Sequence, residues 1–230
     1  MMSRGWRGWF GTGGERRSET SRSHEVESVP GARLNVGCGR FPLAGWINLD
    51  IQELPTVDRV VDVRAGLPFR DAAAVYAEHF LEHLTFGEAL DFLATAHAAL
   101  APGGKLRLST PNLEWVWATH DPAWPEEAEA RRRTFVANRA FYGWQHRFIW
   151  TRPLLGEAMA ASGFDQVAFH RYGESDDPAL SGLEQHDVYP DSPEKPHVLI
   201  VEGSRGTADP ARHARLMAAA RESFLDHLRG

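Results

Sequence analysis

The sequence has little of what would classify it at a glance. It holds a single cysteine, Cys38, which excludes an internal disulfide framework and fits a reducing compartment. No apolar run approaches the length needed to cross a bilayer, and the N-terminus has no apolar core of the secretory type. A soluble, cytoplasmic protein with no membrane span is therefore expected. Basic residues are not in excess: the formal net charge is −6, which gives no general reason to expect nucleic-acid binding. No internal repeat is visible. With 230 residues, 43% hydrophobic and 24% charged, the chain can bury one sizeable core and is most simply one domain.

Residues 1–30 carry Gly, Ser, Arg and Glu with little apolar periodicity, too little buried surface to offset ordering entropy, and predict a disordered tail. Trp6, Trp9 and Phe10, interleaved with Arg4 and Arg7, offer an alternative: contact with a membrane surface or an RNA. From Arg33 onward apolar runs alternate with helix-period segments. Runs at 58–63, 73–78 and 105–110 read as buried strands. Between the last two, Thr85 and Glu88 form a T-x-x-E capping box. Phe86, Leu90, Leu93 and Leu100 recur at helical spacing, and Pro102-Gly103-Gly104 stops the pattern. Strand, helix, strand implies a parallel crossover and an α/β sheet.

Residues 113–150 depart from the alternation and contain a Glu/Arg-rich helical stretch. An insertion directly after a central strand sits at that strand's carboxyl end, so these residues are a candidate lid or substrate-recognition element. A helix starting near Thr151 and ending at Gly163, two strands at 166–172 and 197–203, and a last helix capped by Asp209 and Pro210 complete the chain. The last helix shows an Ala214, Met217, Arg221, Phe224, Leu228 stripe, suited to docking on the sheet or on a second copy as a homodimer. The expected division is a tail (1–30), a main domain (31–205) and a C-terminal helix (206–230).

The densest signal runs from Arg33 to Ile51, "RLNVGCGRFPLAGWINLDI". A short apolar run breaks at Gly37-Cys38-Gly39, where glycines let the backbone bend and approach a ligand. A second apolar run ends on Asp50, placed to accept hydrogen bonds from both hydroxyls of a ribose. The third glycine of G-x-G-x-x-G is missing, since Arg40-Phe41-Pro42 follows Gly39. Gly37 and Asp50 are also closer than the roughly 20 residues of the NAD-binding unit. A dinucleotide-dependent dehydrogenase is thereby disfavoured.

"LNVGCG", "GWINLDI", "VVDV...LPF", "AEHFLEHL" and "LAPGGKLRLSTPN", in this order and spacing, resemble class I S-adenosylmethionine-dependent methyltransferases, more narrowly the small bacterial branch with a shortened first helix. The resemblance spans about Arg33 to Gly203. It implies a Rossmann-like, doubly wound seven-stranded α/β sheet of order 3-2-1-4-5-7-6 with strand seven antiparallel. It also implies S-adenosylmethionine as cofactor, with S-adenosylhomocysteine as product. By the same resemblance Asn35, Gly37, Cys38 and Gly39 would line the methionine moiety and Asp50, followed by Ile51, would bind the ribose. Asp62 and Val63 would meet the adenine edge, with Leu67-Pro68-Phe69 beside it, while Glu78 and His79 would sit near the transferred methyl. Asp62 could instead be a plain strand-ending acid.

Alignment of acceptor and methyl is the main requirement of such a transfer, and a general base is needed only for a neutral hydroxyl or an ammonium acceptor. His79 is the first candidate base, His146 the second, with His120 and Asp121 behind them. A nucleophilic role for Cys38 has no partner residue to support it. The H-x-x-E-H spacing from His79 through Glu82 to His83 matches a zinc-peptidase motif. That chemistry requires one helix through both histidines, whereas a strand is expected up to His79 and a helix only from Thr85; no metal ligand is assigned. "STPN" after the fifth strand lacks the D/N-P-P-aromatic signature, and no Pro-Cys pair is present, which disfavours base-modifying DNA activity. Trp115, Trp117, Trp124, Phe141, Tyr142 and Trp144 suggest aromatic pocket walls for a small-molecule or glycan-type acceptor, or else packing of the insertion onto the sheet. The expected function is methyl transfer to such an acceptor. The alternatives are a non-catalytic scaffold of the same fold and a zinc hydrolase.

Overall fold

A computed structural model describes residues 26–121, 123–187, 192 and 194–229. Its centre is a seven-stranded sheet of β1 (Arg33–Val36), β2 (Ile47–Asp50), β3 (Arg59–Val60), β4 (Ala72–Glu78), β5 (Leu100–Pro111), β6 (Phe164–His170) and β7 (Val198–Arg205). The spatial order is β3-β2-β1-β4-β5-β7-β6. β1 to β5 run parallel, and β7 is antiparallel to both β5 and β6. This is the expected doubly wound topology. Its consequence for function is geometric: β1, β2, β4 and β5 all end on one edge, where Gly37, Asp50, His79 and Asn112 follow or close their strands.

The helices form where the sequence marks them. α1 (Phe86–Ala99) starts on a capping box in which Glu88 N donates to the Thr85 hydroxyl and Thr85 N donates to the Glu88 carboxylate at 2.8 Å. Phe86, Ala89, Leu90, Phe92, Leu93, Ala96 and Ala99 are buried along one face, each apolar side chain worth roughly 1.5 to 3 kcal/mol if large. Leu100 differs from expectation. It leaves the helix in an extended conformation and opens β5. The strand expected over 58–63 is also shorter, Arg59–Val60, because Asp62 caps a single 3-10 turn at Val63–Ala65.

The insertion leaves the sheet through α2 (Leu113–Thr119) and returns through α3 (Glu127–Tyr142). Its two ends meet, since Leu113 N donates to Trp150 O at 2.9 Å and Asn112 bridges Trp150. Trp150 is fully buried, and its ring packs with Phe148 and Phe86. The body between is largely exposed: only Ala137 of α3 is buried, while Glu129 pairs with Arg132 and Arg133 on its surface.

α4 (Arg152–Ala161) is capped by Thr151, and α5 (Pro210–Ser223) by Asp209. α5 buries Leu216, with Met217 and Ala220 packed against the core and the Phe224 ring against Phe148. Ala214, Arg221 and Leu228 of the expected stripe are exposed, so the apolar face of this helix is used within the chain. Residues 26–30 also depart from the expected tail: Glu27–Ser28 pairs in parallel with Phe69–Arg70, and Val29 is buried in the core. The rest of the expected tail, with Trp6, Trp9 and Phe10, lies outside the described residues.

Candidate active site

The glycine turn and the acid that follows it form one unit. Gly37 and Gly39 have φ of 68° and 50°, the left-handed region that side chains with a Cβ resist. A Cβ on Gly37 would stand 2.5 Å from the Phe80 ring, whereas one on Gly39 would meet nothing within 4 Å. The turn is therefore closed against the protein at Gly37 and open at Gly39. Asp50 locks it: one carboxylate oxygen accepts Gly39 N at 2.9 Å and the other accepts Gln52 N at 2.8 Å. Each oxygen keeps a further lone pair for a ligand hydroxyl.

Gly37, Asp50, Ile51, Asp62 and Val63 line one cleft together with Phe80, His83 and Arg147, narrow inside and open to solvent at its mouth. Five of the expected cofactor residues thus share one cavity. Asp62 stands there with its carboxylate engaged by Arg64 in a two-point pair at 2.8 and 2.7 Å. Its pKa is held down, first by that side-chain hydrogen bond. It is both a cleft residue and a cap, so the plain structural role foreseen for it is also present.

The remaining expected residues are not among those lining this cleft. Asn35 is buried, and its amide donates to Phe41 O and to Asn48 Oδ1 at 2.9 Å, which ties the loop after the turn. Cys38 is buried with its thiol pushed up to about 12 by burial and by the charges of Asp50 and Asp58, surroundings that favour the thiol over the thiolate a nucleophile needs. Glu78 points its Oε1 at the backbone of Gln185 and His186 and at His186 Nδ1, the last at 2.6 Å. It therefore anchors a distant loop to the end of β4.

His79 has a φ of 46°, a strained backbone at the exit of β4. Its Nδ1 lies 2.9 Å from Glu82 Oε1, and the His186 ring packs edge-on at 4.6 Å. Burial pulls the His79 pKa down, but the hydrogen bond and charge of Glu82 outweigh it, and the net direction is up. Glu82 is fully buried. Burial opposes its ionisation, yet the hydrogen bond from His79 and the neighbouring histidines bring it to about 2. Its Oε2 also accepts from the Thr110 hydroxyl at 3.0 Å.

The segment 79–83 is not one helix. His79 ends a strand exit, Leu81–His83 is a single 3-10 turn, and α1 starts at Phe86. The peptidase arrangement is absent, as the strand-to-helix turn predicts. His146 arrives instead from the descending limb of the insertion, its ring 5.2 Å from that of His83. The limb is zipped to this turn by Arg147 N and Phe148 N, both donating to Glu82 O, and Gln145 before it has a φ of 63°. Burial lowers the pKa of both His83 and His146. His120 and Asp121 stay apart: His120 packs on Trp115, and Asp121 accepts from Ala123 N in a local turn.

Sequence reasoning missed Glu82, His83, His186 and Arg147 as site residues. Glu82 and His83 carried a signal, the H-x-x-E-H spacing, although its helical meaning does not apply. His186 sits in a polar loop with no motif around it.

No protein-family model matches this sequence, and no curated protein matches it either. Solved structures do. A S-adenosylmethionine-dependent methyltransferase of Thermotoga maritima aligns over 77% of this chain and 83% of its own, at 16% identity and a TM-score of 0.50. One from Archaeoglobus fulgidus aligns over 76% and 86% at 14% identity, TM-score 0.48, and one from Mesorhizobium loti over 76% and 90% at 21%, TM-score 0.46. At 16% identity the first of these likenesses speaks for the fold alone. The chain has the class I S-adenosylmethionine-dependent methyltransferase fold.

Proposed function

We propose that the protein transfers a methyl group from S-adenosylmethionine to a small-molecule or glycan-type acceptor. The observation that carries this reading is the shared cleft: Gly37, Asp50, Ile51, Asp62 and Val63 converge on it at the carboxyl edge of the parallel strands. The fit is chemical as well. Asp50 retains acceptor capacity for two ribose hydroxyls, the open side of Gly39 admits a ligand backbone, and Ile51 and Val63 offer apolar contact to a base. When bound, S-adenosylmethionine supplies a methyl on a sulfonium and leaves as S-adenosylhomocysteine.

The chain's own residues orient the acceptor and take its proton. With Nδ1 directed at the Glu82 carboxylate, His79 keeps Nε2 as the accepting nitrogen for a hydroxyl or ammonium acceptor. His186 packs against that ring and limits its rotation. The insertion, residues 113–150, acts as the lid: its ends are fixed at Asn112 and Trp150 while Trp117 and Trp144 remain 55% and 45% exposed, available to a sugar or aromatic ring.

Asp50→Asn tests the cofactor half of the proposal. Both carboxylate oxygens accept backbone N–H groups, so either orientation of an amide sets NH₂ against N–H. With methyl-labelled S-adenosylmethionine and a panel of glycans and aromatic metabolites, wild type should label an acceptor and the variant should not. Equal labelling by both would refute the role of Asp50.

A further inference from the structure

Glu82, His83 and His146 come from two segments far apart in sequence, the turn after β4 and the descending limb of the insertion, yet their ligand-type atoms all lie within 4.8 Å of one another. We propose that these three side chains form a binding site for one divalent first-row transition ion, of the zinc or cobalt type, beside the cleft. No metal ligand is expected from the sequence, and the set differs from the peptidase motif: His79 is outside it and the third ligand arrives from the insertion.

The donor set selects the ion. Two imidazoles and one carboxylate suit zinc and its neighbours, whereas magnesium and calcium prefer all-oxygen shells. Ligand atoms about 2.1 Å from a tetrahedral ion stand about 3.4 Å apart, so a small inward turn of the rings closes the observed group. The supports around the ligands are those a metal site needs. His146 Nδ1 lies 2.7 Å from Ala140 O, which leaves Nε2 as the ligating nitrogen. Glu82 is oriented by His79 Nδ1 at 2.9 Å and by the Thr110 hydroxyl at 3.0 Å, the outer-shell pattern that fixes a ligating carboxylate. The carboxylate is wholly buried and His83 is 3% exposed, so these two ligands are shielded from competing water, while His146 is half-buried. The φ of +63° at Gln145, immediately before His146, marks a strained backbone of the kind that collects at functional sites.

Three protein ligands leave at least one position open. His83 also lines the cleft, so the site adjoins it. A hydroxyl-bearing acceptor bound there would have its oxygen polarised by the ion; that use of the ion rests on the methyl-transfer reading, while the metal site itself does not.

The test uses tag-free, chelator-treated full-length protein titrated with Co²⁺ and followed by visible absorption, with S-adenosylhomocysteine titrated separately by calorimetry. One Co²⁺ per chain is expected, with ligand-field bands that Zn²⁺ displaces. His146→Ala should weaken binding at least tenfold, since even outer-shell losses cost about 10- to 100-fold, while His120→Ala should leave it unchanged. Absence of the bands, or equal affinity in wild type and His146→Ala, would overturn the site even if S-adenosylhomocysteine binds. Co²⁺ binding lost in His146→Ala supports the site even if S-adenosylhomocysteine does not bind, and in that case only the methyl-transfer reading fails.

Discussion

Substituting alanine at Gly37 and at Gly39 separates two costs that usually come together. Both glycines have positive φ, and an L-residue in that region costs about 1 to 2 kcal/mol. Alanine at either site also stiffens the unfolded chain, a gain of about 0.4 to 1 kcal/mol that is the same for both. Only Gly37 faces a further penalty, because its new methyl would lie 2.5 Å from Phe80 Cδ2. Phe80 cannot easily retreat: it is 1% exposed and its ring packs on Phe92 at 5.0 Å. Overpacking of this kind costs about 1 to 3 kcal/mol, so Gly37→Ala should be less stable than Gly39→Ala by that amount. With a urea slope of about 2 kcal/mol per molar, the midpoints should differ by about 0.5 to 1.5 M. Equal midpoints would refute the argument that the Phe80 ring closes the inner side of the turn.

Three further outcomes follow from the loop and the insertion. Arg107 is completely buried between Glu184 and Glu202. Glu184→Ala leaves that cation half-paired and should cost about 3 to 5 kcal/mol in denaturant unfolding; a loss under about 1 kcal/mol would mean the pair is not buried as described. The same variant should speed amide exchange across residues 173–187, which Glu184 ties down through Gly173 N. If the insertion is a lid, saturating S-adenosylhomocysteine should slow amide exchange within 113–150, and unchanged exchange there would make it a passive cover.

The sheet was legible because its punctuation is local. The glycines after β1, the Thr85–Glu88 box and the Asp209-Pro210 start all act within one turn of chain, and each appears where the sequence marks it. What escaped depends on distant partners. Arg107 lies in an apolar run that reads as a buried strand, and nothing nearby shows that Glu184 and Glu202 come from two other segments to balance it. The valine run at 60–63 suggested a longer strand, but Asp62 caps a turn and pairs with Arg64. The site divides in the same way. Gly37 and Asp50 were readable from spacing, while the grouping of Glu82 and His83 with His146 depends on how the insertion folds back over the turn after β4.

The central claim is that the cleft beside Gly37 and Asp50 holds S-adenosylmethionine. Calorimetric titration of the purified protein with S-adenosylmethionine and S-adenosylhomocysteine, with NAD as control, tests it most directly. The account predicts micromolar binding of the first two and none of NAD. Absence of binding by either sulfur compound would contradict it and turn the search from methyl acceptors to binding partners of the fold.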